Sequence, residues 1–91
     1  MKSPYTKLLM EQFLLSYIDL TDTAILSGLQ KNVYPLYDEL KELRGLKGVK
    51  EHLAYIRDKQ DDYSKKNIAK YLKKSIGQYL PIVKRQDIDH E

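Results

Sequence analysis

The sequence predicts an all-α fold, a small bundle of four or five helices in a single domain spanning residues 1–91, and three observations predict it. Apolar residues recur at helical spacing through most of the 91 residues. Only four glycines and three prolines are available to make turns. Nothing after Gly48 alternates cleanly with period two, so a β-hairpin wing is absent or minimal. A chain this short buries a small core and must use it economically.

The first helix opens at Ser3-Pro4, where a capping residue precedes a proline in the first turn, and runs to about Asp19. Leu9, Phe13 and Tyr17, with Leu8, Met10, Leu14, Leu15 and Ile18 beside them, give it more apolar surface than one face can bury. Leu20-Thr21-Asp22-Thr23 is a turn, with Thr21 as cap of a second helix, AILSGLQKNVY. Pro35 opens a third helix whose Leu36, Leu40 and Leu43 keep the i, i+4, i+7 register. Arg44-Gly45-Leu46-Lys47-Gly48 stops it, with Gly45 suited to the left-handed position past a helix end. Val49–Lys59 is a fourth helix, with a short strand as the alternative, and turns Leu53 and Ile56 inward; residues 58–62 are a polar loop. The core expected from these patterns comprises Leu14, Ile25, Leu29, Leu40, Leu53, Ile68 and Leu72.

Residues 63–86, YSKKNIAKYLKKSIGQYLPIVKRQ, carry the functional signal. They hold seven Lys or Arg and no acid, whereas the whole chain is only +3, so the remainder would carry −4. Dense cations with Tyr71 and Tyr79 among them suit a surface that meets a polyanion. Ser64 is positioned as a cap with Tyr63 and Ile68 as a hydrophobic staple. Ile68, Leu72 and Ile76 then form one apolar stripe with lysines outside it. Residues 87–91 form a polar tail.

A shift of 43 residues places Leu20-Thr21 on Tyr63-Ser64, Ile25 on Ile68, Leu29 on Leu72, Lys31 on Lys74 and Val33 on Ile76. Two helix–turn–helix units of common descent would produce this echo. So would any two capped amphipathic helices.

SKKNIAKYLKKSIGQYLPIV resembles the helix-turn-helix pattern of bacterial and archaeal DNA-binding proteins. Ile68-Ala69 stands where the support helix has its Ile-Ala pair, and Leu72 where a leucine fills the space between helices. The resemblance implies a turn at Ser75 and a recognition helix within residues 76–85. Lys73 occupies the place usually held by Gly, and Pro81 requires a recognition helix that starts late. The alternative is one continuous helix from Lys65 to Leu80, stopped by Pro81, with a stripe of Ile68, Leu72, Ile76 and Tyr79. Separately, NVYPLYDELKELRGL resembles the recognition-helix region of PadR-type winged-helix regulators, through Tyr34-Pro35, Leu40 and Gly45-Leu46. Asp38, Glu39 and Glu42 make that helix acidic, which favours the second unit for DNA.

The nucleic-acid-binding residues expected are Lys65, Lys66, Lys70, Lys73, Lys74, Ser75, Gln78, Lys84 and Arg85. Lysines would meet phosphates, with Lys84 and Arg85 near the groove. The function expected is a small non-enzymatic DNA-binding protein, a transcriptional regulator or DNA-associated accessory factor, whose partner is duplex DNA. A single such unit reads few base pairs, so a homodimer through the apolar first helix is expected. The alternative is a helical protein-interaction module, an accessory subunit or a small immunity or inhibitor protein.

Catalysis finds no constellation. His52 has Gly48, Val49, Tyr55 and Ile56 one turn away, no metal-ligating pair among them, and is expected as an exposed bystander; His90 lies in the tail. There is no cysteine, hence no disulfide and no thiolate metal site, and a cytoplasmic location is expected. No apolar run approaches the roughly 20 residues of a membrane span. The start lacks a small-residue cleavage site and is interrupted by Glu11, so no signal peptide is read. No cofactor, metal or membrane partner is expected.

Overall fold

A computed structural model describes residues 4–89, with side chains through residue 86. Ser3, offered above as a cap, and His90 lie outside the described residues. Five helices follow in order: α1 (Pro4–Leu14), α2 (Thr23–Asn32), α3 (Tyr34–Asp58), α4 (Asp62–Lys66) and α5 (Ile68–Asp89). No strand occurs among the described residues, so the all-α expectation holds and no wing is present there. The bundle packs α3 against α1, α2 and α5.

The core runs from Met10 and Leu14 through Leu29, Leu40, Val49 and Leu53 to the buried stripe of α5. Six of the seven expected core residues are buried; Ile25 is 40% exposed. On α1 the fully buried stripe is Thr6, Met10 and Leu14, while Leu9, Phe13 and Tyr17 only flank the core. The helix ends at Leu14, short of Asp19. Past it the chain turns, with the amides of both Tyr17 and Ile18 donating to the Leu14 carbonyl, so that Tyr17, Ile18 and Leu20 fold back against the core.

Two caps sit one to three residues from where the sequence pattern put them. Asp19 takes both the amide and the hydroxyl of Thr21, at 2.9 and 2.7 Å, which occupies that hydroxyl and leaves Asp22 to cap α2. The cap of the basic segment is Asp61, whose carboxylate accepts from the Ser64 amide at 2.8 Å. In return the Ser64 hydroxyl oxygen accepts from the Asp61 amide at 2.9 Å, completing a reciprocal capping box. Tyr63 is 66% exposed, so it forms no staple with the buried Ile68.

Gly45 does not end a helix; it bends one. Its φ of 75° and ψ of −178° fall in a region essentially reserved for glycine, and the helical hydrogen bonding resumes beyond it. A Cβ on Gly48 would collide with the Arg44 side chain, so the bend needs both glycines. Residues 37 and 52 of a straight helix would stand about 22 Å apart. Here Tyr37 Oη and His52 Nδ1 are 2.9 Å apart, because the two halves of α3 fold toward each other.

α5 is continuous. The turn at Ser75 that the helix-turn-helix resemblance implies is not formed, and Pro81 lies inside the helix rather than ending it. Leu80 and Val83, both buried, hold the chain on the core to either side of Pro81. Pro81 itself faces solvent and the carbonyl it orphans belongs to exposed Gly77, where water can satisfy it. The helix continues to Asp89.

Candidate nucleic-acid interface

The geometry of α5 sorts its side chains into three sectors. At about 100° per residue, Ile68, Leu72, Ile76, Leu80 and Val83 occupy one arc and are all buried. Lys70, Lys73, Lys74, Lys84 and Arg85 fall in an arc of about 120° on the opposite side. All five are exposed. This outer strip carries no acid. Lys65 and Lys66, also exposed, extend the positive charge onto α4. Lys84 is partly committed, 3.5 Å from the Glu39 carboxylate of α3. Nearby, the Arg44 guanidinium donates to Gln86 Oε1 at 3.1 Å. The acidic first half of α3 thus neutralises the far end of the strip, and Lys70, Lys73 and Lys74 form its unopposed centre.

The third sector faces a groove of about 810 Å³ between α5 and the second half of α3. Lys70, Lys74, Ser75 and Gln78 line it, so four of the nine expected site residues converge there. Lys65, Lys66, Lys73, Lys84 and Arg85 do not. The opposite wall, on α3, is aromatic too: His52 and Tyr55 face Tyr71 and Tyr79, the two tyrosines that stand among the cations. His52, expected as an exposed bystander, is 6% exposed and hydrogen-bonded to the buried Tyr37 hydroxyl. Its ring stacks on Tyr79, with centroids 4.8 Å apart and planes 15° apart. Tyr55 lies nearly parallel on it at 6.4 Å. Tyr63 and Tyr71 complete the aromatic lining.

Burial sets the protonation of this pair. Desolvation lowers the His52 pKa to about 4, so the imidazole is neutral at physiological pH. Desolvation also pushes the Tyr37 phenol far above its usual range, so it keeps its proton. With both groups neutral, the Tyr37 hydroxyl and His52 Nδ1 share one buried hydrogen bond of 2.9 Å. Two carboxylates also line the groove. Asp61 is held below the ordinary carboxylate range by its hydrogen bonds from Ser64. Glu51 lies 4.0 Å from Lys47 across one turn of α3.

The aromatic wall could have been suspected from eight tyrosines without a tryptophan. His52 meets Tyr37 only because α3 folds at Gly45, and meets Tyr79 only because α5 packs on α3. Among the described residues, no three His, Cys, Asp or Glu side chains converge as a metal site, and no helix is long and apolar enough to cross a membrane.

No curated protein matches this chain, and neither does any solved structure. A family model described as Lactococcus lactis RepB C-terminus matches residues 1–88. With nearly the whole chain covered, this protein belongs to the Lactococcus lactis RepB C-terminus family.

Proposed function

We propose that this protein is a non-enzymatic, DNA-associated factor in replication, binding duplex phosphates through the outer strip of α5 and the lysines of α4. The observation that carries the reading is the acid-free strip of Lys70, Lys73, Lys74 and Arg85, presented on one rigid helix by a chain whose family name is that of a replication-associated protein. The family name favours replication over the transcriptional role read from the sequence. A continuous helix also changes the mode of contact. Without the turn at Ser75 there is no separate recognition helix, and the strip lies along phosphates rather than inserting a helix end among base edges.

Phosphate contacts release condensed counterions, so log affinity falls with log salt by about 0.9 per contact, roughly −4 for four or five contacts. Replacing Lys70, Lys73 and Lys74 together by Gln should flatten that slope by about 2 to 3 without unfolding the protein. Replacing Lys7 and Lys31, exposed on α1 and α2, should leave it nearly unchanged. A salt titration of mobility shifts on duplex DNA reads both. Failure of the wild-type protein to shift any duplex at low salt sinks the proposal.

The same reading includes a homodimer through α1. Tyr5 and Leu8 on that helix, and Leu15 just past its end, are 60%, 57% and 64% exposed. Two copies would bring two basic strips to one duplex. Sedimentation should show a dimer at micromolar concentration and a monomer for Leu8→Glu with Leu15→Glu.

A further inference from the structure

The strip accounts for the cations, but not for the aromatic groove beside it. We propose that this groove takes an unpaired base of a DNA strand, stacked against the half-exposed Tyr79 ring that His52 backs, and closed over by Tyr63, while Lys70 and Lys74 hold the flanking phosphates. The inference rests on the DNA reading of α5 and names the form of DNA that its groove side receives.

Four features of the groove point to a base. Its volume of about 810 Å³ lies in the range of sites that enclose small ligands. Its rings are already arranged as a stack, His52 on Tyr79 at 15° and Tyr55 on His52 at 25°, so a further planar ring can join with little reorganisation. Tyr63, 66% exposed at the start of α4, carries far more ring surface into solvent than its own fold uses. The lining also separates charge from neutral polarity. Lys70 and Lys74 stand one turn apart on α5, where successive phosphates could be met. Glu51 and Asp61 line the groove as well, and both disfavour a phosphate inside it.

What can enter is therefore the neutral part of a nucleotide. Ser75 and Gln78 offer uncharged donors and acceptors for a base edge. A paired base cannot present its face to such a stack, because both faces are covered by its neighbours in the duplex. The ligand is thus a single-stranded or melted segment.

Fluorescence anisotropy with three labelled probes tests this: a short oligothymidine, an abasic backbone of equal length, and a duplex. The base-bearing strand should bind about tenfold or more tighter than the abasic one at equal salt. Tyr79→Ala and, independently, Tyr63→Ala should erase that difference while leaving abasic and duplex binding unchanged. Tyr63 is exposed enough that its variant keeps the fold, which circular dichroism checks. If bases and abasic sites bind alike while the duplex still binds, the groove proposal falls and the phosphate reading stands. If a base preference survives both tyrosine variants, stacking occurs elsewhere and the proposal also falls. If no probe binds at low salt, the DNA reading falls first and takes the groove with it.

Discussion

α3 and α5 each contain a residue that ordinarily interrupts a helix, and they respond in opposite ways. α3 bends at Gly45, whereas α5 runs on through Pro81. The difference lies in the phase of the apolar residues on either side. In α5, buried Ile68, Leu72, Ile76, Leu80 and Val83 fall within an arc of about 120°, so a straight helix buries them all at once. In α3, buried Tyr34, Tyr37 and Leu40 precede the glycine and Val49, Leu53 and Ile56 follow it. On a straight helix these two stripes would point roughly 125° apart, and one of them would face solvent. Bending at Gly45 brings both onto one core. A breaker residue permits a break; the register of the burial on each side decides whether it happens.

The largest effect should come from the stripe that keeps α5 straight. Leu72 is fully buried, and Leu72→Ala should cost about 2–5 kcal/mol in urea unfolding. Gly45→Ala should cost about 1–3 kcal/mol, wholly from backbone strain, because nothing lies within 4 Å of where its Cβ would sit. Pro81→Ala should do the opposite. It restores one helix hydrogen bond at an exposed site and should stabilise by about 1–2 kcal/mol once the looser unfolded chain is counted. If Pro81→Ala destabilises and Gly45→Ala is neutral, the phase argument is wrong.

A smaller effect probes the contact that the bend creates. His52 has a folded pKa of about 4 against 6.5 when free, so between those values the unfolded chain binds more protons than the native one. Stability should therefore be unaffected by this group above about pH 6.5 and fall as pH drops toward 4, by at most ~1.4 kcal/mol per pH unit. His52→Asn should flatten that slope in denaturation series between pH 7 and 4.5, a range above the titration of Asp19 and Asp61, whose pKa values are lowered. The smallest effect belongs to the fully solvated pair of Lys47 and Glu51, where Glu51→Gln should change stability by less than about 0.5 kcal/mol.

Much of this fold was legible because helical periodicity and burial agree. The all-α class, Pro35 opening a helix, and six core positions follow from spacing alone. The caps were mislocated for a local reason. Ser64 and Thr21 have the right chemistry, but Asp19 already holds the Thr21 hydroxyl, and the helix before Ile68 begins at Asp62, which puts Asp61 rather than Ser64 at its cap. In the continuous-helix alternative Pro81 is a stop on propensity alone, and the burial of Leu80 and Val83 on either side outweighs that propensity. Of the site, the cations could be read directly, since they require only exposure. Tyr71 and Tyr79 could be read with them, but the His52 side of the aromatic wall could not. His52 has no informative neighbour within one turn, and Tyr37 lies fifteen residues back across a bend that sequence locates but does not aim.

The buried Tyr37 hydroxyl also gives the molecule an optical gauge in alkali. Burial, with the Glu11 carboxylate adding to it, pushes Tyr34 up to about 12, and burial carries Tyr37 higher still. A phenolate absorbs in the near ultraviolet where the phenol does not, so each ionisation is visible without any added dye. Both groups hold their protons in the native state at pH values where the unfolded chain has released them, so stability declines as pH climbs past about 10. The Tyr37 increment should therefore arrive with the loss of helical ellipticity, as one cooperative step, and report the moment at which the two halves of α3 part.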